Sequence, residues 1–396
     1  MSDATRRGDR MNAPRILLAS FSHFVCDVNA GALPAILPYF VGTYGLSYSA
    51  VSGLMLANSS IGSVIQPFFG FLSDRNPKTW FMPLGILIAG LGMACLGFLE
   101  LYGWLFCAVG VSGIGAALFH PAAMRFTNRY AGEQQGTATS IFSIGGNLGF
   151  LLAPLLAVFL IEHWGLGGVL LFGPLAVGTS IVVFWESRFL RAPIPQQKGK
   201  STEANALPEN NWRAFRRLVG ALIGRSVVMV CIRVFLPLYC IHHFSQTTSQ
   251  AALVLTLFGI AGIIGNVLGG VLADHFGFTK VITIAYGCMV PLLLVFPLLE
   301  TAWLAIACML GVSFFLYASF SPVVVVGQRY LAKNVGFAAG ITLGLSVSIG
   351  GMLSPVLGLI ADTYGLPFAF HTMTAIAFAA FISTLFLEPV AGRRVS

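Results

Sequence analysis

Few side chains in this sequence can carry a charge or a proton deep inside an apolar run, and those few fall into small groups. His23 and Asp27, in HFVCDVNAG, are four residues apart, so on a helix they share one face. His120 and Arg125, in ALFHPAAMR, flank Pro121; they are five apart and do not share a face. Arg225 and Arg233 are eight apart, slightly over two turns, which returns them to similar faces. Asn147 and Gln66 add amides in two further apolar runs, either lining a cavity or tying helices together. A carboxylate beside a histidine can pass on a proton, and a guanidinium held in apolar surroundings seeks an anion. Bond-making chemistry has no such support. There is no P-loop lysine motif, no HExxH and no serine nucleophile elbow, so the chain is not expected to be an enzyme. The seven cysteines lie in or at the edge of apolar segments without CxxC spacing. They read as small buried hydrophobes, and neither a metal nor a cofactor is expected.

The elements that position these groups must be membrane helices. Only 9% of the 396 residues are charged and 57% are hydrophobic, against about 25% charged in a soluble domain. Apolar runs near 20 residues recur from end to end, long enough to cross a bilayer. They predict an all-α membrane protein with twelve spans, near 15–41, 48–72, 79–99, 103–128, 136–161, 166–186, 214–241, 248–273, 279–299, 302–327, 336–361 and 367–388. Between the sixth and seventh lies SRFLRAPIPQQKGKSTEANALPENNWR, polar and without a hydrophobic period. The organisation is therefore an N-terminal six-helix half, 1–186, a linker, 187–213, and a C-terminal six-helix half, 214–396. The polar start, MSDATRRGDRMNAPR, lacks a small-residue cleavage site, so no removable signal peptide is expected.

Charge placement orients the helices. Apart from Arg125, Arg225 and Arg233, the Lys and Arg residues fall in or beside the two termini, the linker and one alternate set of loops. The other loops carry Glu100, Glu162, Glu300 and Asp362 instead. This bias puts both termini and the linker in the cytoplasm, as expected of a multi-pass protein of the inner (plasma) membrane. The formal charge of +8 is an orientation signal and not a nucleic-acid footprint, because no soluble basic face exists.

Depth follows from helix rise. His120 lies about 13 Å from Arg129, and Asp27 about 18 Å from Arg15, which brings both near mid-membrane. Pro121 removes one helical hydrogen bond beside the imidazole, so a kink is expected there. Asn29, Pro34 and Pro38 suggest a broken, polar first helix. Asp27 serves either as a proton carrier or in an ion pair with a facing arginine. Arg225 and Arg233 lie about 12 Å and 24 Å from Arg217, the first too deep to snorkel easily. Arg125, about 6 Å from Arg129, could reach the interface.

A shift of 200 residues brings the halves into register. GFLSD falls on GVLAD, Glu100 on Glu300, NRYAGEQQG on QRYLAKNVG and HWGL on TYGL. This parallel repeat is that of a major facilitator. GFLSDRNPK, from Gly70, resembles that superfamily's loop signature, with Pro77 in place of its second glycine. GVLADHFGFTK, from Gly270, is the weaker copy. The resemblance implies the major facilitator fold and a conformational latch at Gly70, Asp74, Arg75, Gly270 and Asp274. HFVCDVNAGALPAILP, ALFHPAAMR and IFSIGGNLGFLLAP are similar to stretches of the fosmidomycin-resistance group. Ala122 stands where that group carries an acid after the His-Pro, so the role of that acid does not transfer.

The group implies drug-type export by proton exchange, and fosmidomycin is an anionic phosphonate. A cavity with three arginines and two deep histidines against one aspartate prefers an anion on independent grounds. The expectation is a monomeric secondary transporter in the lipid bilayer, a proton-coupled exporter of a small organic anion or drug. Its substrate site would use His120, Arg225, Arg233, Arg125, Asn147 and Gln66, and its proton site Asp27, His23 and His120. The alternatives are an uptake carrier for an organic anion or phosphorylated metabolite, and a non-transporting membrane sensor of the same fold.

Overall fold

The computed structural model describes residues 11–61, 65, 69, 80–132, 134–187, 209–334, 338, 341–342 and 346–390. Among these there is no β-strand. The chain runs α1 (Ala13–Tyr44), α2 (Tyr48–Leu56, continued by a π turn, Ala57–Ile61) and α3 (Phe81–Ala94). Then come α4 (Tyr102–Tyr130), α5 (Gln135–Trp164) and α6 (Phe172–Ser187). The later part gives α7 (Trp212–Phe244), α8 (Thr248–Phe276) and α9 (Phe278–Val295). Last come α10, in two segments (Ala302–Ala318 and Phe320–Tyr330), α11 (Ser346–Tyr364) and α12 (Leu366–Leu385). Nine helices among the described residues are long and apolar enough to cross a membrane, and shorter apolar helices cover Phe81–Gly97 and Ile349–Tyr364.

Large apolar side chains such as Trp104, Phe159, Val267, Val271 and Trp303 are exposed on helix surfaces. That suits lipid, because a helix satisfies its own backbone and needs only apolar side chains facing outward.

Packing divides the chain into two compact units. One takes α1 as far as Ile36 together with α3 to α6; the other takes the end of α1 from Leu37, with α2 and α7 to α12. In the first unit α3 lies against α4 and α6. Val25, Cys26, Ile86, Phe119, Phe126 and Phe142 belong to its core. Buried hydroxyls find carbonyls: Ser112 Oγ donates to Ala89 O at 2.8 Å and Ser180 Oγ to Pro83 O at 2.8 Å. In the second unit α7 packs on α11 and α12. Tyr286 Oη donates to Ala221 O at 3.1 Å, tying α9 to α7.

One sequence expectation changes. The first helix is not broken: α1 is one helix of 32 residues with Pro34 and Pro38 inside it. α4 likewise runs unbroken through Pro121. In a membrane, neighbouring helices and side chains re-satisfy the carbonyls a proline frees, so the helix survives. The break comes instead at Ser319 in α10, just before Pro322. All seven cysteines are free; Cys107 is exposed and the other six are at least partly buried.

Candidate proton and anion sites

In the first unit α1 and α4 bring His23, Asp27 and His120 together. The i, i+4 spacing puts His23 Nε2 at 3.1 Å from Asp27 Oδ2, and His120 Nε2 approaches Asp27 Oδ1 at 3.5 Å from α4. The two imidazoles meet edge to face, with centroids 5.3 Å apart. Asp27 is buried, and the histidines are partly so. Its close partners are these two rings, and among the described residues no arginine pairs with it.

His23 Nδ1 lies 2.9 Å from the carbonyl oxygen of Phe142 on α5. A carbonyl only accepts, so Nδ1 carries the hydrogen and Nε2 of the neutral ring is an acceptor. Nε2 therefore faces a carboxylate oxygen, and two acceptors at this distance need a proton between them. The pair holds that proton either as imidazolium and carboxylate or as a carboxylic acid donating to the ring. Both forms are neutral overall, which suits a low-dielectric interior.

These three residues also form the one group among those described whose atoms could close on a metal ion, all within 4.8 Å of one another. A divalent ion held by one carboxylate and two neutral rings would leave a net positive charge in the apolar interior. The donor set fits a proton better.

Gly146 on α5 makes room for the pair. A Cβ there would sit 2.5 Å from the Cε1 and Nε2 atoms of His23 and 2.7 Å from Asp27 Oδ2. The glycine run SIGGNLG is thus a packing surface against α1 that closes over titratable groups. We expect Gly146→Ala to cost roughly 1–3 kcal/mol in stability, as overpacking does. Proton-linked flux should fall on the order of 100-fold, as an ångström-scale misplacement can cause. Thermal melting and liposome flux on the same preparation check both. Wild-type flux in a correctly inserted Gly146→Ala protein would contradict this.

In the second unit Arg225 is 1% exposed. Its guanidinium lies over the Phe320 ring, 5.2 Å from the centroid. Nε and Nη1 are buried without a hydrogen-bond partner, as is the neighbouring Ser226 Oγ. Among the described residues no carboxylate pairs with Arg225. A buried charge left uncompensated costs several kcal/mol, and a bound anion would offset that cost. Eight residues on, half-buried Arg233 donates from Nη2 to Tyr317 Oη at 2.8 Å.

Of the other expected site residues, Arg125 is half-buried on α4 and Asn147 is exposed on α5. Gly270 is half-buried on α8, and a Cβ added there would meet only Ser321 Cβ, at 4.0 Å. Asp274 is exposed near the end of that helix. Gln66, Gly70, Asp74 and Arg75 lie outside the described residues.

Sequence reasoning missed Gly146, Phe142, Tyr317 and Phe320. A signal for Phe320 was present: shifted by 200, it falls on His120, as Arg225 falls on Val25. In sequence register, the repeat thus matches an acidic and imidazole cluster on α1 and α4 with a guanidinium and aromatic cluster on α7 and α10.

Comparison with known proteins agrees with this architecture. The chain is 30% identical to the fosmidomycin resistance protein of Escherichia coli over 346 residues, 87% of this chain and 85% of that one. It is 28% identical to the uncharacterized MFS-type transporter YfnC of Bacillus subtilis over 384 residues, 95% of this chain and 93% of that one. Its fold is similar to that of a bacterial homologue of the human lysosomal transporter Spinster, with a TM-score of 0.75 at 15% identity, covering 95% of this chain and 96% of that one. The Major Facilitator Superfamily pattern matches residues 19–355. With an all-helical fold, helices that cross a membrane and a family pattern over most of its length, the chain is a multi-pass membrane protein of the Major Facilitator Superfamily.

Proposed function

We propose that the protein is a proton-coupled exporter of a small organic anion, working by alternating access between its six-helix halves, 1–186 and 214–396. It acts as a monomer in the inner membrane with both termini in the cytoplasm. The observation that carries this reading is Arg225, a buried guanidinium whose Nε and Nη1 lack an acceptor among the described residues. Arg233 and Phe320 flank the same site, and the likeness to a fosmidomycin resistance protein supports an anionic cargo. The shared proton of His23 and Asp27, with His120 beside it, supplies the coupling. Protonation and anion binding are thus carried by different clusters on different helices, which lets one be exchanged against the other.

Purified protein in liposomes with an imposed pH gradient tests the reading, with fosmidomycin as the probe. An antiporter moves its cargo toward the acidic side, so fosmidomycin should accumulate in vesicles with an acidic interior. A protonophore should abolish the accumulation. Accumulation in vesicles with an alkaline interior would instead make the protein a symporting uptake carrier. No flux of fosmidomycin or of other organic anions under either gradient would leave a membrane sensor of this fold.

A further inference from the structure

Helix N-termini expose amides that need acceptors, and two comparable helices of the second unit solve this differently. α8 caps itself. Thr247 Oγ1 accepts from Gln250 N at 3.2 Å, and Gln250 Oε1 accepts from Thr247 N at 2.9 Å. α2 borrows its acceptor. Ser47 Oγ takes the Ala50 amide at 3.2 Å, while the amides of Tyr48 and Ser49 donate to Oδ1 and Oδ2 of Asp362, at 2.6 Å and 2.9 Å. Asp362 lies more than 300 residues away, in the last turn of α11. That is the wrong end of its own helix for an acid, because the dipole there is negative. Its placement is favourable only toward α2.

The rest of that α11 face repeats the pattern at four-residue steps. A Cβ on Gly358 would sit 2.6 Å from Ser49 Cα and 2.8 Å from Tyr48 O, so only glycine allows the approach. Ser354 Oγ lies 3.2 Å from Ser52 O. Asp362, Gly358 and Ser354 therefore line one face of α11 and grip the first two turns of α2. The anchoring group is an exposed carboxylate, which water can replace at low cost. The contact is thus suited to opening and closing, unlike a buried apolar seam.

We propose that Asp362 is the latch that holds α2 on α11 at the end of the protein away from its termini, and that its release opens that end during transport. The assignment rests on the alternating-access reading and adds to it a residue and a contact.

The test uses the full chain in nanodiscs with its native cysteines replaced by serine. Spin labels are placed at Thr43 and Thr363, both exposed, and their distance distribution is measured. Wild type should be dominated by the short distance. Asp362→Ala should raise the long-distance population about fivefold, the shift that a lost N-terminal cap gives. Asp362→Asn, which keeps one acceptor but loses the charge, should shift it less. Gly358→Val, which pries the same contact apart without touching the carboxylate, should shift it in the same direction as Asp362→Ala. Unchanged distributions in both Asp362→Ala and Gly358→Val overturn the latch, whatever the flux. If the distributions shift but the wild-type carrier moves no anion under either pH gradient, the latch stands and the transport reading falls.

Discussion

Replacing Arg225 with methionine is expected to make the ligand-free protein more stable and to abolish the binding of an anionic ligand. The two effects have one cause. The guanidinium is 1% exposed, and its Nε and Nη1 lack acceptors among the described residues, so it is a buried charge that the neighbouring side chains do not compensate. Exchanging buried ionic groups for apolar residues of similar volume is often stabilising, by about 1–4 kcal/mol, and methionine fills the space that alanine would leave as a cavity. Losing one side of a buried, hydrogen-bonded charge pair costs about 2–5 kcal/mol in binding. At about 1.4 kcal/mol per factor of ten, that is roughly 30-fold to several thousand-fold in affinity. Arg225→Lys should fall between the two, because lysine keeps the charge but loses the planar fork. Melting temperatures with and without fosmidomycin separate the contributions. In wild type the ligand should raise the melting temperature; in Arg225→Met the baseline should be higher and the ligand increment gone. A variant that still binds the anion at wild-type affinity would remove the main residue of the cationic site.

Asp27→Asn is expected to separate exchange from energy coupling. An asparagine amide can donate from Nδ2 to Nε2 of His23, while His23 Nδ1 keeps its bond to the Phe142 carbonyl at 2.9 Å. The substitution thus imitates the protonated pair without disturbing the geometry, and it cannot release the proton. Accumulation against a gradient should fall to the protein-free level, while counterflow of substrate, which needs no net proton movement, should persist. His120 faces the other carboxylate oxygen at 3.5 Å. His120→Ala should therefore flatten the pH dependence of flux, because it removes an imidazole from the carboxylate that holds the proton. If Asp27→Asn still concentrates substrate with an unchanged pH profile, the coupling proton is not held at the His23–Asp27 pair.

Much of this protein was legible in one dimension. The apolar helices and the superfamily signature are properties of order along the chain, so they survive without any contact being known. So did the i, i+4 pairing of His23 with Asp27, because it lies within one helix turn. What lay between helices could not be read this way. A helix that is apolar on every side gives little sign of which face meets which neighbour. Hence the sequence left Asp27 open to an arginine, and only packing supplied His120 instead. The tautomer of His23 depends on the carbonyl of Phe142, 119 residues away and invisible to any side-chain pattern. Prolines suggested a broken α1, yet the helix is continuous and the break falls in α10, because the surroundings decide whether a freed carbonyl finds a partner. Arg225 was recognisable as a charge out of place, but its isolation over Phe320 was not, since lacking a partner is a property of three-dimensional neighbours. Asp362 read only as one acid in a loop of orienting charge; its grip on the α2 amides required the fold to bring residues 48 and 362 together.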